Sequence, residues 1–222
     1  MLPSLRLRRL NLDELTFFIF SQLNAILPNK FDNEKSLIDR HIHLTLERLK
    51  VCINAVKCWE ENEFDHLHSS QYCIFLYYLA NTIWKETGET ELPTKLFLLN
   101  KVLNSIDLFY EIEMPAIFFI GHSAGIVLSK AKYSDYLVLY QNSTVGKNHG
   151  IAPVIDQGVI MYPNTAIIGR CHISSGSVIS QGVSVINQNT PKDCLVFNNL
   201  NSNSRLIFKK NKRKIIEDIY RL

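Results

Sequence analysis

The 222-residue chain is short of most features that assign a protein to a class at sight. Its net charge of +3 at pH 7 is too small to argue for a nucleic-acid surface. Its five cysteines, Cys52, Cys58, Cys73, Cys171 and Cys194, form an odd set without a C-x-x-C pair or a close metal spacing. Buried thiols in a reducing compartment are expected. No apolar run approaches the roughly 20 residues of a membrane span. Arg6, Arg8 and Arg9 ahead of Phe17 to Phe20 resemble the start of a signal peptide, but Asp13 and Glu14 interrupt the stretch and no small-residue cleavage site follows. A cytoplasmic protein is therefore expected. A metal is not: His41-x-His43 and His66-x-His68 lack a third ligand nearby, and a helical pattern puts the two members of each pair on different faces.

Glycine is nearly absent from the first half. Only Gly88 occurs in the first 110 residues, and eight of the nine glycines follow residue 120. What fills the first half is helical periodicity. Leu37, Ile38, Ile42, Leu46, Leu49, Ile53 and Val56 recur at three and four, one apolar face of a long helix. A second helix is expected from about Ser69 to Lys85, ending near Gly88, and a third from Thr94, after Pro93, to Tyr110. At 46% hydrophobic and 20% charged residues the composition is globular and allows one large or two small domains.

Beyond residue 120 the period changes to six. Ile155, Met161, Ile167, Ile173, Ile179 and Val185 are all apolar, and four residues after each of the first five come Val159, Thr165, Cys171, Ser177 and Val183, all small or β-branched. Six such hits in a chain of this composition arise about once in a hundred starting positions. Val127, Tyr133, Leu139 and Val145 carry the rhythm earlier, with Ala131, Leu137 and Ser143 in the second register. A hexapeptide repeat means a parallel β-helix in which each residue triplet is one flat face of a triangular coil. The break between Val145 and Ile155 reads as a loop extruded from one corner, containing Gly146, Lys147, Asn148, His149, Gly150 and Pro153. The fold class expected is α + β: an N-terminal α-helical domain over residues 1–112, a β-helix over 113–197, and a C-terminal basic tail over 198–222. That tail has a polar Asn and Ser stretch, then Lys209, Lys210, Lys212, Arg213 and Lys214, then a short helical pattern from Ile215 to Leu222 that packs on the coil or a neighbouring subunit.

The helical N-terminal domain, Met114-Pro115-Ala116-Ile117-Phe118-Phe119, His122-Ser123-Ala124-Gly125 and Tyr140-Gln141-Asn142-Ser143-Thr144-Val145-Gly146 together resemble the serine acetyltransferase group of left-handed β-helix acyltransferases, over roughly residues 70 to 197. The resemblance implies a left-handed coil, an exception to the right-handed crossover rule. It implies acetyl-CoA as cosubstrate and His122 as general base. An acidic residue ahead of a proline would orient that base, with Glu113 the candidate and Glu111 in reserve. By the same resemblance, coenzyme A lies in the groove between neighbouring chains, along Gly146, Pro163, Ser180 and Gln181. The basic tail reads either as a solvated face or, through the charge of Lys209 or Lys210, as a contact to the nucleotide phosphates of coenzyme A. A homotrimer, or two trimers joined through the N-terminal helices, is implied as well.

Three departures bear on the acceptor. Gly121 stands where the family has an aspartate before the catalytic histidine, Asn148-His149-Gly150 stands in place of an R-H-P element, and Gly146-Lys147 replaces a double glycine. Groups that would pair with free serine are missing or moved. The chemistry itself is simpler to support: an imidazole with a pKa near about 6.5 is a suitable base for an attacking hydroxyl at neutral pH. A carboxylate on its other nitrogen fixes the tautomer. A backbone amide, or protonated His149, would meet the developing oxyanion. The expected function is an acetyl-CoA-dependent O-acetyltransferase acting on L-serine or on a sugar hydroxyl of a surface polysaccharide or its precursor. The alternative is a noncatalytic β-helix scaffold or regulatory protein.

Overall fold

The inward-facing residues of the repeat set the architecture of the second half. In the computed structural model, which describes residues 5–28, 33–199 and 206–222, Ile155, Met161, Ile167, Ile173, Ile179 and Val185 are all fully buried in the coil interior, as are Tyr133's successors Leu139 and Val145. Each such isoleucine withdrawn from water stabilises the coil by about 1.5–3 kcal/mol. The coil has three faces. The first stacks Phe118–Ile120, Leu137–Leu139, Ile160–Met161, Val178–Ile179 and Cys194–Asn198 in parallel, and Leu206–Lys210 closes its end antiparallel to Cys194–Asn198. The second stacks Asp107–Leu108, Val127–Leu128, Thr144–Gly146, Ala166–Ile168 and Ser184–Ile186. The third is shorter: Lys132–Tyr133, Val154–Ile155 and His172–Ile173.

The earlier rhythm starts one residue later than its spacing suggests. Leu128 pairs with Val145 in the ladder and is buried, whereas Val127 points outward and is 45% exposed. The inward set thus runs Leu128, Tyr133, Leu139, Val145, with one five-residue step.

The chain divides into two units, residues 1–105 with 109–111, and 106–108 with 112–222. In the first, α1 (Leu12–Ile26), α2 (Glu34–Ala55), α3 (Ser69–Thr87) and α4 (Glu91–Asn104) build a helical core. Helix α1 is fixed by a capping box, in which Asn11 and Glu14 each accept the other's backbone N–H. The arginines ahead of it are clamps: Arg6 pairs with Glu63, and Arg9 hydrogen-bonds Asp65 at 3.1 Å. Gly88 ends α3 in the left-handed conformation with its N–H on Trp84 O. Helix α4 begins three residues before the expected start, since a proline in the first turn removes no helical hydrogen bond. It stops at Ser105, whose φ of 52° turns the chain into the strand Asp107–Leu108, so residues 105–110 are not helical.

The described part of the tail packs on its own coil. Helix α5 (Ile216–Ile219) leads into Tyr220, which is buried, stacks edge-on against Tyr136 and donates a hydrogen bond to Leu137 O at 2.7 Å. The Asn and Ser stretch falls mostly on residues 200–205, outside the described residues.

Candidate active site

Every coil turns from the first face to the second through a left-handed residue. Those residues are Gly125, Asn142, Asn164 and Gly182, with φ of 72°, 58°, 61° and 72°. Asn and Gly are the residues that take this conformation at least cost. The last ladder positions before the corner also stack: Ile120 pairs with Leu139, Leu139 with Met161, Met161 with Ile179 and Ile179 with Val196, so Gly121, Tyr140, Tyr162, Ser180 and Phe197 stand over one another. From Tyr140 to Asn142 and from Tyr162 to Asn164 the corner takes two steps. From Gly121 to Gly125 it takes four. The two extra residues project the first corner outward, and His122 sits on that projection, exposed and hydrogen-bonded to no described residue of its own chain.

Gly121 is glycine for want of room. A Cβ built there would stand 2.5 Å from Tyr140 Cε1 and 2.6 Å from Cδ1. The ring cannot easily withdraw, because it stacks on Tyr162 (centroids 5.5 Å apart, planes 5° apart) and meets the edge of Phe119 at 6.4 Å. The aspartate that the related pattern places at this position is thus excluded by a tyrosine in the next coil. Beside it, the carbonyl oxygen of the Gln141 side chain is shielded from solvent and accepts no hydrogen bond, a cost of about 1–3 kcal/mol in an isolated chain.

His149 leaves a different corner, between the second and third faces. Gly146 to Val154 spans eight steps where the equivalent Ile168 to His172 spans four. The four extra residues do not form a long loop. Asn148 and Ile151 exchange both backbone hydrogen bonds at 3.0 Å, with His149 and Gly150 at φ of 48° and 78° between them, a tight turn of the primed type. Asn148 Cβ lies 2.7 Å from where a side chain at Gly169 would begin, so the turn is seated on the next coil. Its tip carries His149, exposed. One chain therefore does not bring His122 and His149 together, because the whole second face separates their corners.

Of the remaining candidates, Pro163, Ser180 and Gln181 share His122's corner in successive coils, and Gly146 sits at the His149 corner. Glu113 is exposed on the segment entering the coil and is not hydrogen-bonded to His122; Glu111 belongs to the helical unit. Lys209 places its ammonium 5.5 Å from the centre of the Phe197 ring, at the far end of the ladder that begins beside His122. Four coil spacings of about 4.8 Å put that end about 19 Å from the first coil. Lys210 turns the other way, into a groove of about 710 Å³ that the tail makes at the corner between the third and first faces.

One pair went unnoticed in the sequence. His172 Nε2 lies 2.9 Å from Asp156 Oδ2 on the third face. Both residues flank inward positions of the repeat, Ile173 and Ile155, which stand over one another, and that adjacency was the available signal. Among the described residues no cluster of metal ligands occurs. His41 Nδ1 bonds Leu37 O at 2.7 Å, and His66 and His68 pack edge-on against Phe18 and Trp59. No described helix is long and apolar enough to cross a membrane.

No protein-family model and no curated protein sequence matches this chain. By structure it is similar to serine acetyltransferase isoform 3 of Entamoeba histolytica in complex with cysteine, at 19% identity over 89% of this chain and 74% of that one, TM-score 0.63. It is similar to the serine acetyltransferase of Neisseria gonorrhoeae at 14% identity over 93% and 82%, TM-score 0.70. It is also similar to a serine acetyltransferase in complex with CoA at 16% identity over 90% and 86%, TM-score 0.68. The likeness is one of fold: N-terminal helices followed by a left-handed parallel β-helix of about five turns, the serine acetyltransferase architecture.

Proposed function

We propose that this chain is an acetyl-CoA-dependent O-acetyltransferase that uses His122 as general base. The observation that carries the reading is the position of His122: an exposed imidazole, hydrogen-bonded to no described residue of its chain, on an expanded corner at the head of an outward ladder whose other end holds Lys209. A CoA-bound neighbour of the same fold supports the cosubstrate. In this reading the pantetheine arm follows Pro163, Ser180 and Gln181, its thioester ends at the first two coils, and Lys209 rather than Lys210 meets the phosphates. The second face of one chain then packs beside its neighbour in a trimer, so that Gly146 and His149 of the neighbour complete the site. In that arrangement a ring N–H of His149 would donate to the oxyanion, a contribution of about 3 kcal/mol for a preorganised donor. Glu113 orients His122 once substrate closes the cleft, a hydrogen bond that is often unformed in the empty state.

The acetyl transfer itself is direct. The acceptor hydroxyl loses its proton to His122 as it attacks the thioester carbonyl, and the proton leaves with the CoA thiolate. The test is thiol release from acetyl-CoA with a hydroxyl acceptor. His122→Ala is expected to lower kcat by about two to four orders of magnitude while leaving acetyl-CoA affinity unchanged. Unimpaired turnover in that variant would exclude the base assignment, and failure of the wild type to bind acetyl-CoA would favour the scaffold reading.

A further inference from the structure

We propose that the groove between the tail and the coil binds an amphipathic anion, a phosphate or diphosphate ester of an apolar alcohol. The site lies at the edge of the first face away from His122 and does not depend on acetyl transfer. Charge is the first observation. Residues 206–222 hold six of the chain's 24 basic residues and two of its 21 acidic ones, which leaves 18 and 19 for the rest, so the whole positive excess sits in this segment. Four of those cations, Lys210, Lys212, Arg213 and Lys214, line one groove of about 710 Å³, a volume suited to a small ligand. Two of the four are already answered, Arg213 by Asp218 at 2.9 Å and Lys214 by Glu217 at 3.0 Å. Lys210 and Lys212 form no ion pair among the described residues. The remaining acid of the groove, Asp193, turns its carboxylate over Gly176 at the coil corner. Two unanswered ammonium groups suit a ligand with two negative charges, which a phosphate ester approaches at neutral pH and a single carboxylate does not. The second observation is apolarity. Ile215 and Ile216 line the same groove half-buried, Leu222 lines it exposed, and Ile160 and Val178 close its floor from adjacent coils. An inorganic anion would leave the tail's apolar side chains in water, whereas an apolar chain esterified to the phosphate would cover them. The third is construction. Gly158 and Gly176 occupy successive corners without side chains, and a Cβ at Gly158 would already stand 3.9 Å from Ile216 Cγ1. The tail wall is pinned by Tyr220, buried and bonded to Leu137 O, so the groove is formed without a ligand. The phosphate would sit between Lys210 and Lys212, with the chain along Ile215 and Ile216 toward Leu222.

The test is calorimetric titration of the full-length protein with geranyl diphosphate, without acetyl-CoA. One equivalent per chain should bind with a dissociation constant in the micromolar range. Inorganic pyrophosphate and geraniol, which carry the two halves of the chemistry, should each bind at least about tenfold more weakly. A variant with both Lys210→Gln and Lys212→Gln should lose about tenfold or more in affinity for geranyl diphosphate, with an unchanged Tm showing that the exposed substitutions leave the fold intact. Ile216→Ser should weaken geranyl diphosphate and leave pyrophosphate as it was. Saturating acetyl-CoA should not displace the ligand. Absence of binding at millimolar geranyl diphosphate, pyrophosphate binding as tightly as the ester, or undiminished affinity in the double lysine variant would each overturn the assignment. Displacement by acetyl-CoA would overturn it too, by making the groove part of the coenzyme site. Binding to phosphatidylglycerol vesicles without affinity for the soluble ester would replace it with a membrane-surface contact. The titration needs neither acetyl-CoA nor turnover, so its failure and the failure of the acetyltransferase reading are seen separately.

Discussion

Gly121→Ala is the smallest change that tests the geometry beside His122. Gly121 does not have a positive φ, so alanine meets no backbone strain there, in contrast to Gly125 and Gly182. Restricting the unfolded chain should even favour alanine by about 0.4–1 kcal/mol. Against this stands the new methyl group, 2.5 Å from one ring carbon of Tyr140 and 2.6 Å from another, where ordinary contact needs about 3.5 Å or more. The ring is held by Tyr162 on one side and Phe119 at its edge. Overpacking of this kind costs about 1–3 kcal/mol, which leaves a net loss of about 1–2 kcal/mol. In a β-helical unit of this size that lowers Tm by about 3–8 °C. Because the chain divides into two units, calorimetry, which resolves separate transitions where they occur, is the suitable assay; both tryptophans, Trp59 and Trp84, lie in the helical unit and report on it. Tyr140→Leu in the same chain should remove the penalty, giving a coupling of at least about 0.5 kcal/mol in the double-mutant cycle. A Gly121→Ala protein with wild-type Tm, or two substitutions that simply add, would refute the account of why residue 121 is glycine.

Three further outcomes are expected. Co-assembled chains carrying His122→Ala or His149→Ala, each inactive alone, should regain about a quarter of wild-type activity, because each site would take one histidine from each of two neighbours; a mixture as inactive as its components would rule out a shared site. Only Cys58 is exposed, while the other four thiols are buried and that of Cys73 is pushed up to about 12 by burial. One equivalent should therefore react rapidly with a disulfide reagent before unfolding and five afterwards, and rapid labelling at Cys73 would contradict the packing. His66 is held below the ordinary histidine value, chiefly by burial, with Asp65 opposing and Arg9 reinforcing. The unfolded chain then takes up a proton near pH 6.5 that the folded one resists, so the helical unit should lose stability as pH falls from about 7.5 to 5.5. His66→Phe should flatten that slope, and an unaltered slope in the variant would remove His66 as its cause.

The repeat was legible in the sequence because its inward positions are fixed by one physical demand, a dry interior filled by Ile, Leu and Val, and that demand recurs every six residues. The candidate corner at His122 was singled out only by the His-x-x-Gly resemblance. Its ladder was not. Tyr140 and Tyr162 are 22 residues apart, whereas Ile155 and Ile173, also stacked, are 18 apart. The four residues of the His149 turn lie between the two tyrosines, and without the turn's length their stacking cannot be read. Helix α1 was obscured differently. Asp13 and Glu14 interrupt an apolar stretch, yet Asn11 followed three residues later by Glu14 is a helix-start signal. The premature end of α4 had no signal, since Ser105 adopts a left-handed conformation for which serine has no preference.

The two histidines with a proposed role both sit where the coil takes more residues than its repeat requires, two at His122 and four at His149. A hexapeptide coil leaves a polar side chain few ways to act, because its inward positions must be apolar and its corners are used up by left-handed turns. An insertion at a corner adds exposed positions without disturbing the ladder on either side: Leu128 still pairs with Val145 after the first insertion, and Ile155 with Ile173 after the second. Both insertions border the second face, whose outward side chains include Val127 and Ile186, exposed and apolar. On the first face the tail already covers the neighbourhood of Leu137, Ile160 and Val178. The second face has a histidine at each border, and packing of a neighbour there is what would bring the His122 of one chain to the His149 of the next.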